Sequence, residues 1–134
     1  EITESALMVN PTASLKVIAQ LDALGAGLSI DDYGTGYSSL SFLRKLPLDE
    51  LKIDISFVQH MDKDTNDEVI VRSTVDLAHN LGLKVVAEGV ETKAVLEKLG
   101  AVGCDSIQGY YISKPLATEA FDAWLKQSPY RPVG

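Results

Sequence analysis

An acidic pair, Asp31-Asp32, is the first feature of the sequence that could do chemistry, and it follows the short apolar run 27–30. Two adjacent carboxylates repel each other when they are buried and ionised, so the pair indicates either a bound divalent cation or exposure to solvent. Because a glycine-rich stretch comes next, the pair could instead cap a helix and solvate a loop. The pair alone leaves these alternatives open.

Other polar residues also stand in or just after short apolar runs. Glu88 follows Val85-Val86-Ala87, and Lys52 lies within Leu51-Lys52-Ile53-Asp54. An inward lysine is costly unless carboxylates pair with it or an anionic substrate needs it, whereas an outward lysine would simply be solvated. Glu88 could equally cap a helix that begins near Thr92. Repetition of polar residues at successive strand ends favours a shared site.

The elements that would position these residues form a repeated unit, in which a helix ends on Leu-Gly or Leu-Pro and a short apolar strand and a polar residue follow. Helices are predicted over residues 11–24, about 66–81, about 92–99 and about 118–126. Asn10 and Pro11 suit the start of the first helix, and Thr65 and Glu68 have the spacing of a capping box. The glycine-rich stretch 33–39 is predicted to be a loop.

Alternation of helices with short apolar strands predicts right-handed crossovers and a parallel sheet covered on both faces, an α/β fold. In closed (β/α) barrels the chemistry lies at the carboxyl ends of the strands. The polar residues that the repeat places there are Asp31, Asp54, Glu88 and Gln108. Four or five units amount to about half of such a barrel.

Five segments closely resemble the successive motifs of EAL domains, in order and over essentially the whole chain. They are Glu1-Ile2-Thr3-Glu4-Ser5, Asp31-Asp32-Tyr33-Gly34-Thr35-Gly36-Tyr37-Ser38-Ser39, Leu51-Lys52-Ile53-Asp54, Ala87-Glu88-Gly89-Val90-Glu91-Thr92 and Gln108-Gly109-Tyr110. The resemblance implies a partial (β/α)8 TIM-type barrel in which residues 1–134 form the C-terminal half of a single EAL domain. The Glu-Ala-Leu tripeptide, an Arg and an Asn of the family would then lie upstream of Glu1.

The same resemblance implies a metal-dependent phosphodiesterase that hydrolyses cyclic di-GMP to linear pGpG in the complete domain. Two Mg²⁺ or Mn²⁺ ions would serve as cofactors, and the fragment alone would be inactive. The alternative is a non-catalytic EAL domain that serves as a cyclic di-GMP receptor or a protein-interaction domain. A homodimer and regulatory or cyclase domains in a longer parent chain are further expectations.

Site residues follow from the matched motifs. The resemblance implies metal ligation by Glu1, Asp31 and Asp32. It implies that Lys52 orients the attacking water and offsets phosphate charge, that Glu88 is a metal-site carboxylate or a general base, and that Gln108 completes the site by hydrogen bonding. Supporting roles in holding the site and its loop fall to Glu4, Asp54 and Glu91. Gly34, Thr35 and Gly36 would belong to the loop beside the substrate.

Composition limits the partners of the chain. Its 134 residues carry a formal charge of −7, so no general attraction to DNA, RNA or an anionic membrane is expected, and a phosphate substrate would need bridging cations or a local lysine. The lone Cys104, the lack of a signal-peptide pattern and the lack of a membrane-length apolar run favour a cytoplasmic location, although another domain could anchor the parent. His60 and His79 have no partner at ligand spacing and are expected to be surface or helix-flank residues. Cys104 is expected to be a packed or idle thiol, and Trp124 is expected to pack the last helix onto the barrel.

Overall fold

Five parallel strands form one sheet, and their order in the sheet follows their order in the chain. The computed structural model describes residues 1–36 and 40–130. The strands are β1 (Ile2–Thr3), β2 (Ser29–Tyr33), β3 (Glu50–Ile53), β4 (Lys84–Ala87) and β5 (Ser106–Ile107). Each neighbouring pair is parallel, so every connection is a crossover that carries helix. The predicted α/β class and partial parallel barrel are therefore confirmed.

Helices fill these crossovers. In chain order they are α1 (Glu4–Val9), α2 (Pro11–Ala23), α3 (Leu40–Leu43), α4 (Ile55–Val58), α5 (Thr65–Asn80), α6 (Lys93–Ala101) and α7 (Thr118–Gln127). The four longer helices match the predicted ranges to within two residues. The short helices α1, α3 and α4 were not predicted. No helix in the described ranges is both long and apolar enough to cross a bilayer.

Side-chain caps start most of the longer helices. Asn10 accepts a hydrogen bond from the Ala13 N–H at 3.1 Å, and Thr92 accepts one from the Val95 N–H at 3.2 Å. The capping box predicted from Thr65 and Glu68 is wrong, because helix α5 is capped one residue earlier. Asp64 accepts a hydrogen bond from the Asn66 N–H at 2.7 Å. Its negative charge also interacts favourably with the positive, N-terminal end of the helix dipole. Glu68 instead forms ion pairs with neighbouring cations.

The core lies between the sheet and the helices that cover it. Strands β3 and β4 are almost completely buried, and α5 presents one apolar face to them. Core residues from these elements include Leu51, Ile53, Val71, Val75, Val85 and Ala87. Full burial of an aliphatic side chain of this size stabilises the fold by about 1.5–3 kcal/mol. The buried strands therefore give the polar residues at their ends a rigid base.

A polar clasp joins α5 to the opposite, amino-terminal end of the sheet. His79 Nε2 lies 2.8 Å from Asp105 Oδ2, which also accepts a hydrogen bond from the Val85 N–H at 2.8 Å. His79 is exposed near the end of α5, as the sequence predicts for a surface or helix-flank histidine, and its partner Asp105 is distant along the chain. The hydrogen bond with His79, and then that from Val85, lower the pKa of Asp105. His60 is exposed, as predicted for a surface histidine. Burial raises the pKa of the Cys104 thiol, so the thiol stays protonated at neutral pH.

We expect Asp105→Ala to lower the free energy of unfolding by about 1 kcal/mol at neutral pH, since the Val85 N–H and His79 lose their acceptor. Because the folded-state pKa of Asp105 is lowered, its contribution is present above the unfolded-state pKa and disappears as the pH falls through the folded-state value. Urea unfolding at several pH values measures this, with the exposed Asp76→Ala as control. A deficit that persists unchanged in strong acid would contradict the prediction.

Candidate active site

The carboxyl ends of the parallel strands bring the sequence-predicted polar residues to one edge of the sheet. Thr3 pairs with Asp31, Lys52 with Val86, and Ala87 with Ile107 in the strand register. Asp54 follows β3, Glu88 follows β4 and Gln108 follows β5. This is the edge at which open and closed parallel α/β sheets build their sites.

A bulge in β2 lets two adjacent carboxylates serve one site. Successive side chains of a regular strand point to opposite faces, which would separate Asp31 from Asp32. The register between β2 and β3 shifts between Ile30 and Tyr33, and Asp32 takes a left-handed conformation with φ of 55°. Such bulges re-aim side chains, often beside active sites. The irregular backbone therefore places Asp31 and Asp32 together.

Lys52 lies at the centre of the carboxylates. Its Nζ is 2.6 Å from Glu88 Oε1, 3.1 Å from Glu1 Oε1 and 3.5 Å from Asp31 Oδ1. The residue is only 5% exposed, so its ammonium group is held inside the protein by these acidic partners. Burial alone would lower the pKa of Lys52, but the contacts with Glu88, Glu1 and Asp31 outweigh it and raise the pKa. Lys52 is therefore a fixed positive charge at neutral pH.

Three carboxylates are close enough to share a cation. Among the described residues, one ligand oxygen each from Asp31, Asp32 and Glu88 lies within 4.8 Å of the others. Carboxylate oxygens are the ligands that hard divalent cations prefer, so this donor set fits such an ion. Glu1 stands outside the group of three, with its side chain against Lys52.

The acidic cluster continues to Asp54. Partial burial raises the pKa of Asp32, and the negative charges of Asp31 and Asp54 raise it further. Asp54 also caps α4, because its Oδ1 accepts a hydrogen bond from the Ser56 N–H at 2.9 Å. The cap fixes one carboxylate beside Asp32 and adds to a like-charge repulsion that a bound cation would relieve.

Glu4 holds the loop after the acidic pair. It is buried at the start of α1, and its Oε2 accepts hydrogen bonds from the N–H groups of Gly34 at 3.1 Å and Gly36 at 3.2 Å. A Cβ added to Gly36 would lie 2.9 Å from Glu4 Cδ, which explains the glycine. Thr35 Oγ1 donates to the Asp32 carbonyl at 2.9 Å. The rest of the predicted loop motif, 37–39, lies outside the described residues.

Gln108 directly follows β5, and Glu91 lies in the segment between β4 and α6. Backbone hydrogen bonds tie Gln108 to Ala87 at 2.8 Å and to Val90 at 3.1 Å. Glu91 Oε1 accepts a hydrogen bond from Gln59 Nε2 at 3.2 Å. Both residues line a cavity next to Glu88, which is where a substrate could reach the acidic cluster.

That cavity has a volume of about 660 Å³. Its remaining walls are largely apolar and include residues that sequence reasoning did not assign to the site, namely Ile55, Tyr110, Pro115, Leu116, Phe121 and Trp124. Trp124 is half-buried and stacks on Phe121 with 5.9 Å between ring centroids, while α7 has no fully buried residue. An aromatic-rich wall beside polar groups is typical of ligand sites. Only the aromatic content of the segment after Gln108 could have indicated it from the sequence.

Comparison with known proteins gives consistent matches. The sequence model of the EAL domain matches residues 1–115. The chain is 50% identical over 119 residues to the bifunctional diguanylate cyclase/cyclic di-GMP phosphodiesterase MucR of Pseudomonas aeruginosa, covering 89% of this chain and 17% of MucR. It thus spans about a sixth of the length of this relative.

Solved structures agree with the sequence comparison. The phosphodiesterase of PaMucR in complex with c-di-GMP superposes with a TM-score of 0.86 at 48% identity, over 90% of this chain and 49% of that one. A manganese and cyclic di-GMP complex of Klebsiella pneumoniae BlrP1 superposes with a TM-score of 0.78 at 37% identity, over 84% of this chain and 29% of that one. The shared fold extends over nearly all the described elements.

Proposed function

The chain belongs to the EAL domain family, and from that premise we propose that the complete domain hydrolyses cyclic di-GMP to linear pGpG, with residues 1–134 as its C-terminal portion. The observation that carries the proposal is the arrangement of Lys52 among Glu1, Asp31 and Glu88 at one edge of the sheet. Relatives of high identity are named as phosphodiesterases of this dinucleotide.

Two Mg²⁺ or Mn²⁺ ions are the proposed cofactors. Asp31, Asp32 and Glu88 would hold one ion between them, and Glu1 would complete the site together with residues of the rest of the domain. Bound divalent cations acidify a water molecule and neutralise charge on phosphate oxygens. The net charge of −7 favours such neutralisation for a substrate that is itself anionic.

The remaining side chains would bind and orient the substrate. Lys52 offers a positive charge that three carboxylates already hold in place, so it needs no rearrangement to meet a phosphodiester oxygen. Glu88, whose Oε1 lies 2.6 Å from Lys52 Nζ, would accept a proton from the attacking water or ligate an ion. Gln108 would donate a hydrogen bond to the substrate from the cavity side. Glu4, Asp54 and Glu91 would keep the loop and strand ends in position.

Metal removal tests the proposal. We expect the complete domain to convert cyclic di-GMP to pGpG with added Mn²⁺ or Mg²⁺, to lose turnover in excess EDTA, and to regain it when Mn²⁺ is restored. Anion-exchange chromatography of the products measures turnover, and calorimetry measures binding separately. Turnover that survives chelation would contradict the metal-dependent mechanism. Tight binding without turnover in excess Mn²⁺ would indicate the receptor alternative instead.

We also propose that the domain works in the cytoplasm as a homodimer, joined in a longer chain to cyclase or regulatory domains. Support for the longer chain comes from the relative named as a bifunctional cyclase and phosphodiesterase, of which the chain covers 17%. The loop that Glu4 holds, whose described part includes Gly34 and Gly36, is the proposed route of coupling, because it is hydrogen-bonded directly behind Asp32.

A further inference from the structure

Ile55 packs against the backbone turn that follows Glu88. It is the first residue of α4 and comes directly after Asp54, yet its side chain is 42% exposed rather than part of the core. Its inner atoms approach Gly89 so closely that a Cβ added there would lie 2.1 Å from Ile55 Cγ1 and 2.5 Å from Cδ1. A partly exposed aliphatic side chain thus lies in van der Waals contact with the backbone of Gly89, next to the site carboxylate of Glu88.

This contact begins where the strand pairing of β3 and β4 stops. The last register pair is Ile53 with Ala87, and the Glu88 N–H donates to the Ile53 carbonyl at 3.3 Å. Beyond that bond, Gly89 turns with φ of +71°. Glycine adopts positive φ about as readily as negative φ, so its own backbone does not fix this turn. Ile55 therefore packs against this turn at Gly89, between the Glu88 hydrogen bond and the bond that the Val90 N–H donates to the Gln108 carbonyl at 3.1 Å.

Ile55 is itself firmly placed. The carboxylate of Asp54 caps the first turn of α4, and branching at Cβ leaves an isoleucine few side-chain conformations. At Gly89, a side chain with few conformations thus packs against a backbone position with many. Glu88, one residue before that glycine, carries the carboxylate that reaches both Lys52 and the Asp31-Asp32 pair.

We propose that Ile55 is a positioning residue that keeps the Glu88 carboxylate in the metal-binding arrangement. The inference rests on the proposed function only in assigning Glu88 to a divalent-cation site. Without the Ile55 side chain, the turn at Gly89 gains freedom and Glu88 leaves the position in which its oxygen lies within 4.8 Å of those of Asp31 and Asp32. The effect falls on cation affinity first and on turnover through it.

The test compares Ile55→Ala, Ile55→Val and the control Val69→Ala in the complete domain. Val69 is an aliphatic residue of similar exposure, 55%, on the outer side of α5. We expect Ile55→Ala to weaken Mn²⁺ binding about tenfold, the lower end for residues that support ligands. Titration of free Mn²⁺ by electron paramagnetic resonance measures this without substrate. Ile55→Val keeps the branched Cβ and should restore affinity to within about twofold of the wild type.

Kinetics separate positioning from substrate contact, since Ile55 also lines the cavity beside Gln108. A positioning role predicts that Ile55→Ala lowers kcat at limiting Mn²⁺, that saturating Mn²⁺ recovers most of it, and that KM changes little. Unchanged Mn²⁺ affinity in Ile55→Ala, or an effect confined to KM, would overturn the proposal. If the wild type binds Mn²⁺ but turns over no cyclic di-GMP, the proposed function fails while the Mn²⁺ titration still decides the role of Ile55.

Discussion

Replacement of Lys52 by methionine is expected to lower kcat for cyclic di-GMP by about 10²–10³-fold and to lower the free energy of unfolding by about 3–5 kcal/mol. Methionine keeps most of the side-chain volume but removes the charge, which leaves the carboxylates of Glu1, Asp31 and Glu88 without their shared cation. Loss of one fixed positive group in a site that stabilises developing charge typically reduces kcat by about 10²–10³-fold. Both losses have one origin, because the same ammonium group holds the site together and would meet the substrate.

Thermal unfolding and product chromatography of the complete domain measure these two effects. Lys93→Met is the matched control, since Lys93 forms an exposed pair with Glu97 on α6 and exposed pairs contribute little to stability. Added Mn²⁺ should recover part of the stability of Lys52→Met, because a cation bound by the same carboxylates replaces some of the missing charge. A stable and active Lys52→Met variant would show that the central lysine is dispensable.

The sheet and the longer helices could be predicted because their sequence signals are local and repeated. Apolar runs such as Val85-Val86-Ala87 indicate buried parallel strands directly, and the buried residues of α5 recur at helical spacing from Val71 to Ala78. The helices α1, α3 and α4 were missed because four to six residues are too few for a helical period to appear. The start of α5 was misplaced because Asp64 and Thr65 are both good capping residues in adjacent positions.

Parts of the site depend on geometry that no spacing reveals. The polar residues after the strands could be predicted, since parallel strands all end at one edge. The bulge that places Asp31 beside Asp32 could not, because alternation along a regular strand separates neighbours. Ile55 reads as an ordinary aliphatic residue in the sequence, and only its contact with Gly89 links it to Glu88. Likewise, His79 and Asp105 meet only because α5 ends near the start of β5.

Glu1 illustrates how the metal and the lysine compete for the same acids. The family resemblance implies that Glu1 ligates a metal, whereas the structure brings its carboxylate to Lys52 and leaves Asp31, Asp32 and Glu88 as the group that could share an ion. Asp31 and Glu88 belong to both sets. The site is therefore one cluster of carboxylates, whose negative charge Lys52 partly neutralises and a divalent cation would neutralise further.

Replacement of Asp32 by asparagine should separate the chemistry of the site from its fold. Asparagine is tolerated in left-handed backbone, so the φ of 55° at this position persists and the bulge remains. The substitution removes one of the three carboxylate charges, those of Asp31, Asp32 and Glu88, that could hold an ion. We expect Mn²⁺ affinity and turnover to fall by at least about 100-fold, the upper range for changes that merely support a ligand.

The same substitution should stabilise the metal-free domain. Asp32 sits beside Asp31 and Asp54, and the repulsion between two unit charges about 4 Å apart is about 1 kcal/mol even in water. Asp32→Asn is therefore expected to raise the Tm in EDTA and to cancel the rise in Tm that Mn²⁺ gives the wild type, whereas the exposed Asp122→Asn on α7 should change neither. A variant that still gains Tm with Mn²⁺ would remove Asp32 from the metal site. Opposite signs for stability and metal binding would mean that the bulge holds two carboxylates together at a cost that only a bound cation offsets.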